Sequence, residues 1–222
     1  DMLFSAEERE GKRTFADQED LERTRRDIAN ARLTAEHVVV MIHSHEMKDE
    51  NMESIDDFIV ESAHAFIDAG ASMILGGGTH QLKGIELYQG RPIFYSLGNF
   101  IYQNEFVRIL PPDFMRKYHL PYDTDPAQAL AVRRSHAKNG GQQSGENYLS
   151  VIPFVEMEGG ACVKIELLPI SLGVTREKAF KAIPYPANEA EAETIYRTLA
   201  RLSGEFGTRL EQKDGVIVVN LQ

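Results

Sequence analysis

The chain has 222 residues, and its balance of 42% hydrophobic and 26% charged residues is ordinary for a globular protein in water. The formal net charge of −10 argues against nucleic acid or anionic lipid as a general partner, because like charges repel. No apolar stretch approaches the roughly 20 residues that a membrane helix needs, so this segment predicts no membrane contact. A small anionic substrate held through a metal ion remains compatible with the acidic charge.

Two amphipathic helices are predicted in the first third of the chain. Residues 16–36 show helical spacing of apolar residues between charged ones. The apolar positions of this helix are Leu21, Ile28 and Leu33. Residues 54–69 predict a second helix, with Ser54 as its N-cap and Gly70 just after its end.

A short, continuous apolar run follows each of these helices. Residues 38–42 read VVVMI and residues 71–75 read ASMIL, and such runs are typical of strands buried on both faces. The order helix–strand–helix–strand predicts two parallel strands joined by a crossover. Because ligands bind at the carboxyl ends of the strands in such sheets, this edge is the predicted place for a functional site.

The other strands are predicted to be antiparallel. Residues 84–97 predict a hairpin whose tight turn is Gln89-Gly90. Residues 148–173 predict a second pair of strands, which turns at Gly159-Gly160.

The second half of the chain also contains a long region without a clear pattern. Residues 104–147 are predicted to be irregular, because turn-forming residues interrupt them, and residues 138–147 are predicted to be mobile. A last helix is predicted over residues 188–203, with Asn188 as its N-cap, and residues 215–219 predict a closing strand. With no internal repeat and no clear boundary, the sequence indicates a single domain.

Polar residues follow both of the predicted buried strands. His43, His45 and Glu46 follow the first strand, and His80 follows the second after the glycine run 76–78. A histidine just past a buried strand is held rigidly and reaches a cleft, which suits a metal ligand. Consecutive glycines let the backbone adopt positive φ and approach a ligand closely. The alternative, which these residues alone leave open, is that the histidines are ordinary loop residues.

Three further residues require an interpretation. Asn99 follows an apolar strand, so that its amide either enters the same cleft or belongs to a turn that closes the strand. His64 lies in the middle of a helix among apolar residues and is interpreted as packed or half-exposed. Cys162 is the single cysteine, which excludes an intrachain disulfide, and its strand pattern predicts a core residue.

Three stretches together resemble a known family. These are HSHE at residues 43–46, AFIDAGASMILGGGTHQLKGIELYQGRPIFYSLGNF at residues 65–100, and LSGEFGTRL near the end. They resemble the bacterial capsule-synthesis, or poly-gamma-glutamate biosynthesis, proteins of the CapA type, which are similar to the calcineurin-like metallophosphoesterases. The resemblance implies an α/β fold in which two packed sheets are flanked by helices, with a two-metal site at the strand ends.

The resemblance also implies which residues bind metal. His43 matches the mid-chain histidine that binds the second metal, and His80 matches the last histidine of the family's G-H-x-x-H turn, a ligand of the first metal. The implied cofactors are divalent metal ions, either Mn, Fe or Zn. Two such ions would bridge a phosphate and activate a water or hydroxide for in-line attack.

Around the ions, the resemblance implies a catalytic pocket. His45 and Glu46 would be its catalytic residues, either as ligands or as groups that orient the ligands. Asn99, Gly77 and Gly78 would line the pocket and bind the substrate.

Two features depart from the family's pattern. The family usually has a histidine where Gly77 stands, so that one ligand is absent and the site is expected to hold one ion or none. The family's first half, with an Asp in a Gly-Asp pair and an Asn-His pair, has no equivalent here. Residues 1–222 are therefore expected to be the carboxyl-terminal portion of a single metallophosphoesterase-like domain, with an incomplete metal site.

Two functions are compatible with these observations. The first is a metal-dependent, phosphoesterase-like hydrolase of capsule or poly-gamma-glutamate biosynthesis, acting on a small phosphorylated or anionic polymer substrate in the cell envelope. The second is a non-catalytic protein of the same fold that assists assembly or export of an anionic envelope polymer, which the glycine at position 77 favours. A third interpretation is an α/β domain without a metal, in which the histidines have no functional role.

An anionic polymer would also need compensating cations on this acidic chain. The candidates are Arg91, Arg108, Arg133 and Arg134.

Overall fold

The structure is a computed structural model that describes residue 11 and residues 13–48, 51–103, 106–136 and 145–221. These residues form two sheets with helices packed against them, which confirms the predicted α/β class. The helices are α1 (Gln18–Arg32), α2 (Asp57–Asp68), α3 (Pro112–Lys117), α4 (Pro126–His136) and α5 (Glu189–Gly204). The strands are β1 (Val39–His43), β2 (Met73–Gly77), β3 (Ile85–Tyr88), β4 (Arg91–Phe94), β5 (Leu149–Glu158), β6 (Ala161–Ser171), β7 (Tyr185–Pro186), β8 (Arg209–Lys213) and β9 (Val216–Asn220).

The first sheet contains the strands that lead to the predicted site. Its order is β1-β2-β4-β3, in which β1, β2 and β4 are parallel and β3 is antiparallel to β4. The crossover between β1 and β2 runs through α2, as predicted. The hairpin between β3 and β4 turns at Gln89 and Gly90, which both have positive φ, the conformation that a two-residue hairpin turn requires. Since His43 pairs with Gly77, the two strands end side by side.

The prediction that β1 is buried on both faces is wrong. Val40 and Ile42 pack against α1 and α2, but Val39 and Met41 on the other face are 45% and 81% exposed. The reason is that β1 is an edge strand, and the elements that cover the opposite face of this sheet pack against β3 and β4 instead.

The ends of the first two helices differ from the prediction in detail. The N-cap of α2 is Asp56 and not Ser54, because the buried Asp56 carboxylate accepts a hydrogen bond from the Asp57 amide at 2.9 Å. The N-cap of α1 is Asp17. Leu33 does not serve as a core position, since it lies at the C-cap of α1 and is 82% exposed.

The second half of the chain has more regular structure than its sequence predicts. Within residues 104–147, for which the sequence predicts irregular structure, α3 and α4 are helical, and the proline at the start of each fits a first helical turn. Of the stretch predicted to be mobile, residues 138–144 lie outside the described residues. The chain then forms a 3₁₀ turn from Gly145 to Tyr148. The sequence gives no clear signal for β8, because its alternation of one apolar and several charged residues is weak.

The second sheet contributes to a separate hydrophobic cluster. Strands β5 and β6 pair as predicted around Gly159-Gly160, followed by β9 and β8, with β7 on β6. Helix α5 begins at the predicted N-cap Asn188, in a capping box with Glu191. The apolar face of this helix packs against both sheets and joins them through one cluster, whose members include Ile195, Leu199, Phe94 and Ile165. None of the helices in the described ranges is long and apolar enough to cross a membrane.

Candidate functional site

The carboxyl ends of β1 and β2 bring three histidines together. The Nε2 atoms of His43 and His45 are 3.2 Å apart, and their ring centroids are separated by 5.1 Å. The ring of His80 lies 5.4 Å from that of His45, centroid to centroid. His43 and His45 are exposed and His80 is half-buried, so that the cluster faces outward. The prediction that the three histidines lie close together at this edge of the sheet is therefore confirmed, whereas their role as metal ligands stays a prediction.

Asn99 fixes the orientation of the His80 ring. Its amide nitrogen donates to the Asn147 carbonyl at 2.9 Å, and its Oδ1 lies 2.8 Å from Nδ1 of His80. Because Oδ1 only accepts, Nδ1 of His80 must carry the proton in this contact. The Nε2 lone pair of His80 then remains for a ligand. A backbone φ of 63° at His80, rare for a residue other than glycine, marks a locally strained position.

The glycine turn packs directly against the loop after β1. At Gly78, φ is 114°, and an added Cβ would overlap the carbonyl of Ser44. At Gly76, an added Cβ would overlap the Tyr95 carbonyl, whereas at Gly77 it would meet nothing within 4 Å. The close approach of the two backbones therefore explains Gly76 and Gly78 but not Gly77. Whether Gly77 and Gly78 bind substrate stays a prediction.

Glu46 lies at the side of the cluster. Its backbone N–H donates to the Ser44 hydroxyl at 3.1 Å, and its side chain is exposed. A catalytic role for Glu46 or His45 stays a prediction, because neither geometry nor burial singles out a proton donor or acceptor here.

The cluster fits a divalent ion only in part. Two imidazole nitrogens bound to one tetrahedral ion lie about 3.3 Å apart when each Zn–N bond is about 2.05 Å, and the 3.2 Å between His43 and His45 matches this spacing. The same distance also suits a hydrogen bond between one protonated and one unprotonated nitrogen. In the described part of the chain, no group of three or more His, Cys, Asp or Glu side chains is arranged to hold a metal ion.

Two residues next to the site gave no signal in the sequence. Asn147, whose carbonyl anchors Asn99, is 48 residues away along the chain. The ring of Tyr102 lies 5.6 Å from that of His80, centroid to centroid, in a tilted arrangement, and it also makes an edge contact with Tyr148. Only the folded contacts reveal them, because neither belongs to a motif or follows a predicted strand directly.

His64 belongs to a separate network. Its Nε2 lies 2.9 Å from both carboxylate oxygens of Glu86, and the Tyr95 hydroxyl donates to the same carboxylate at 2.5 Å. The ring of His64 stacks on Tyr88 at 3.9 Å and is partly exposed, which agrees with the interpretation of His64 as packed or half-exposed. Burial, followed by the hydrogen bond to Glu86, raises the pKa of Tyr95, so that the phenol remains a donor. Burial also raises the pKa of the partly buried Cys162 thiol, which makes it a poor nucleophile.

The fold and the site define a class of protein: an α/β protein of two sheets with a histidine cluster at the carboxyl ends of parallel strands. Residues 4–104, which include the whole cluster, match the family model described as "Bacterial capsule synthesis protein PGA_cap". This match covers slightly less than half of the chain, and relatives named for capsule biosynthesis support the resemblance to the bacterial capsule synthesis family.

Three relatives illustrate the similarity. The chain is 32% identical over 217 residues to an uncharacterized protein of Sinorhizobium fredii, covering 93% of this chain and 46% of that protein. It is 38% identical over 93 residues to the PGA biosynthesis protein CapA of Bacillus subtilis, covering 42% of this chain and 23% of the relative. It is 35% identical over 86 residues to the capsule biosynthesis protein CapA of Bacillus anthracis, covering 39% of this chain and 20% of the relative. The chain thus spans about half the length, or less, of these curated relatives.

Proposed function

We propose that the chain carries the histidine side of a metal-dependent, phosphoesterase-like hydrolase site that serves capsule or poly-gamma-glutamate biosynthesis. The observation that carries the proposal is the 3.2 Å separation of the His43 and His45 nitrogens beside His80. The names of the CapA relatives support the biological setting. The similarity to calcineurin-like metallophosphoesterases, and with it the expected two-sheet metal site, belongs to this proposal.

In this proposal, His43 and His80 hold divalent ions, either Mn, Fe or Zn, and His45 adds an imidazole next to His43. A bound ion would polarise a phosphoryl oxygen and lower the pKa of a bound water. Asn99 holds His80 in the tautomer that presents Nε2 to the site, through the 2.8 Å contact at Nδ1. Glu46 would accept a proton from a nucleophile. Gly77, where an added Cβ would meet nothing within 4 Å, would border the substrate together with Gly78.

A second function is favoured by one specific observation. Three ligand side chains are the usual protein contribution to a catalytic zinc ion, and the described residues present no group of three in coordinating positions. A non-catalytic protein that assists assembly or export of an anionic envelope polymer needs no complete site. Position 77, where a side chain would fit but glycine stands, supports this alternative.

The experiment that separates the two functions measures metal and turnover together. The whole chain is dialysed against Mn²⁺ or Zn²⁺ and its metal content determined by elemental analysis, followed by hydrolysis of an aryl phosphate monoester or diester. The variants are His43→Ala and His80→Ala, with His119→Asn as the control, since His119 is exposed, lies outside the cluster and has a positive φ that asparagine tolerates.

The hydrolase proposal expects bound metal and turnover in the wild type and in His119→Asn, and the loss of both in the two cluster variants. Bound metal without turnover would support the assembly role with a structural ion. If no metal binds and the cluster variants fold like the wild type, the metal site is wrong and the histidines have another purpose.

A further inference from the structure

An open groove, here named the α1–α2 groove, lies between α1, α2 and the segment that leads into α1. Its volume of about 640 Å³ falls within the roughly 300–1,000 Å³ of sites that hold a ligand. The cavity beside the glycine turn, at about 20 Å³, has room for only a single water molecule. A groove of about 530 Å³ on the second sheet is lined by Lys164 and Arg209 as well as Glu211, so that its charge selects no ligand.

The base of the α1–α2 groove is apolar. Leu21, Phe58 and Phe66 line it and belong to the hydrophobic cluster that joins the first two helices to the first sheet. Phe15 lines the same groove, yet 75% of this residue is exposed to water. A bound apolar side chain would cover the exposed ring, and such burial is the main favourable contribution to most protein associations.

The backbone on either side of the exposed ring is held by α2. The Thr14 hydroxyl donates to the Asp56 carboxylate and accepts from the Phe58 amide at 3.2 Å. The Ala16 amide donates to the Glu61 carboxylate at 3.1 Å. Since both neighbours of the ring are fixed to the same helix, the groove is formed in the free chain, and binding requires little additional ordering.

The rim of the α1–α2 groove is acidic. Asp17, Asp20 and Glu46 line it, and none of the other residues described along it is basic. Asp20 forms an exposed ion pair with Arg23, and a competing cation replaces such a pair at little cost because exposed pairs contribute little. The net charge of −10 also attracts cations and repels anions at long range. The groove therefore does not suit the phosphorylated or polyanionic substrates proposed for the histidine cluster.

We propose that the α1–α2 groove docks a lysine- or arginine-bearing amphipathic peptide segment of a partner protein. Apolar side chains of the segment cover Phe15 and the base of the groove, and its cations meet the carboxylates of the rim. These carboxylates lie on two parts of the chain, the start of α1 and the loop after β1, so that a peptide with several cations contacts more of them than a single amine does. Glu46 is the residue after His45, so that the docked segment extends to the edge of the histidine cluster. The proposal does not depend on a metal ion at that cluster.

The first test titrates the whole chain, without metal, with a capped octapeptide in which pairs of lysine and pairs of leucine alternate. Calorimetry in about 0.1 M salt, where the Debye length is about 10 Å, screens the general attraction of cations to the acidic chain. Saturable one-to-one binding is expected. Serine in place of the leucines is expected to weaken binding at least about tenfold, because the apolar contacts are lost. Equal binding of the serine peptide, or no saturable binding of the leucine peptide, would overturn the proposal.

Three variants test whether the peptide lies in the groove. Phe15→Ser is expected to weaken binding about tenfold, as the loss of an aromatic anchor does, and Asp20→Asn about threefold. The matched control is Asp113→Asn, since Asp113 also lies in the first turn of a helix and pairs with an arginine three residues on, but belongs to α3 outside the groove. All three residues are exposed, so that urea unfolding is expected to be unchanged.

Asp113→Asn is expected to bind the peptide like the wild type. If it weakens binding as much as Asp20→Asn does, the peptide responds to net charge alone and the proposal is wrong. A second copy of the chain is the alternative occupant, and sedimentation velocity without peptide tests it. Self-association that is lost in Phe15→Ser and that the peptide inhibits would assign the groove to a second copy and overturn the proposal. Self-association that is unchanged in Phe15→Ser is the result expected for a groove that is open to the peptide.

Discussion

Two adjacent glycines at the site have opposite structural requirements. Gly78 has a φ of 114° and no room for a Cβ beside the Ser44 carbonyl, so that glycine is required by the backbone. Gly77 has ordinary φ and open space where a side chain would project. Because it pairs with His43 in parallel register, a side chain at position 77 would share a face with His43.

The first prediction follows from this pair of glycines. Gly77→His is expected to add an imidazole next to His43 and to strengthen binding of Zn²⁺ or Mn²⁺ about tenfold, or about 1.4 kcal/mol. Calorimetric titration of the whole chain measures this gain. The matched control, Gly78→Ala, is expected to lower the free energy of unfolding by about 1–3 kcal/mol because of backbone strain. Unchanged affinity in a stably folded Gly77→His would show that the cluster does not bind the ion.

The second prediction at the residue scale concerns stability and pH. Burial lowers the pKa of Lys83 to about 8 in the folded chain, against an ordinary value of 10.5 for the unfolded chain. Between these two pH values, the unfolded chain therefore binds a proton that the folded chain has lost. The free energy of unfolding contributed by Lys83 therefore rises with pH over this window. Burial of the charged ammonium is therefore unfavourable for global stability at neutral pH.

Urea unfolding between about pH 7.5 and about pH 10 tests this sign. The comparison with Lys83→Met cancels the ionisation of tyrosine near the upper limit, which lowers the stability of both chains because the pKa of Tyr95 is raised in the fold. The wild type is expected to gain stability relative to Lys83→Met as the pH rises. If the wild type and Lys83→Met differ in free energy of unfolding by the same amount at every pH in this window, Lys83 keeps its ordinary pKa.

At the scale of the elements, β1 is the unusual strand. It is the edge of a sheet whose other members are covered, and it presents Val39 and Met41 on an open face. An exposed apolar edge strand is a template for pairing with another chain. The same strand ends at His43, so that whatever covers this face would also lie beside the histidine cluster.

The third prediction is that Met41→Lys lowers self-association without loss of stability. Met41 is 81% exposed, so that the free energy of unfolding is expected to change by less than about 0.5 kcal/mol. The control is Val40→Lys on the opposite face, packed against α1 and α2, which is expected to destabilise the fold by about 3 kcal/mol or more. Sedimentation velocity and urea unfolding together give both quantities. A large loss of stability in Met41→Lys would mean that this face is covered in solution.

Some features of these elements could be predicted from the sequence, and others could not. The parallel pair, the turn at Gln89-Gly90 and the capped start of α5 could be predicted because their signals are local. The exposure of β1 and the choice of Asp56 over Ser54 as N-cap depend on packing with distant segments. The convergence of the histidines followed from the parallel strand ends, whereas the anchoring of Asn99 by Asn147 did not.

At the scale of the whole molecule, charge restricts the proposed substrate. The chain carries a net charge of −10, and poly-gamma-glutamate is itself a polyanion, so that the two repel at long range. Of the arginines considered as compensating cations, Arg91 donates to the Ala71 carbonyl and so belongs to the fold. A divalent ion at the histidines is the compensating charge that the proposed function supplies.

The fourth prediction is that poly-gamma-glutamate binds with an unusual dependence on salt. The Debye length shrinks from about 30 Å at 0.01 M to about 8 Å at 0.15 M ionic strength, so that salt screens the general repulsion more than a direct contact with a bound ion. In the presence of Mn²⁺, the affinity is therefore expected to stay constant or to rise over this range, and without Mn²⁺ no binding is expected. Fluorescence anisotropy of a labelled polymer measures this, with neutral polyglutamine as the control. An affinity that falls steeply with salt and ignores Mn²⁺ would instead place the polymer on a basic patch, which would contradict a metal-held substrate.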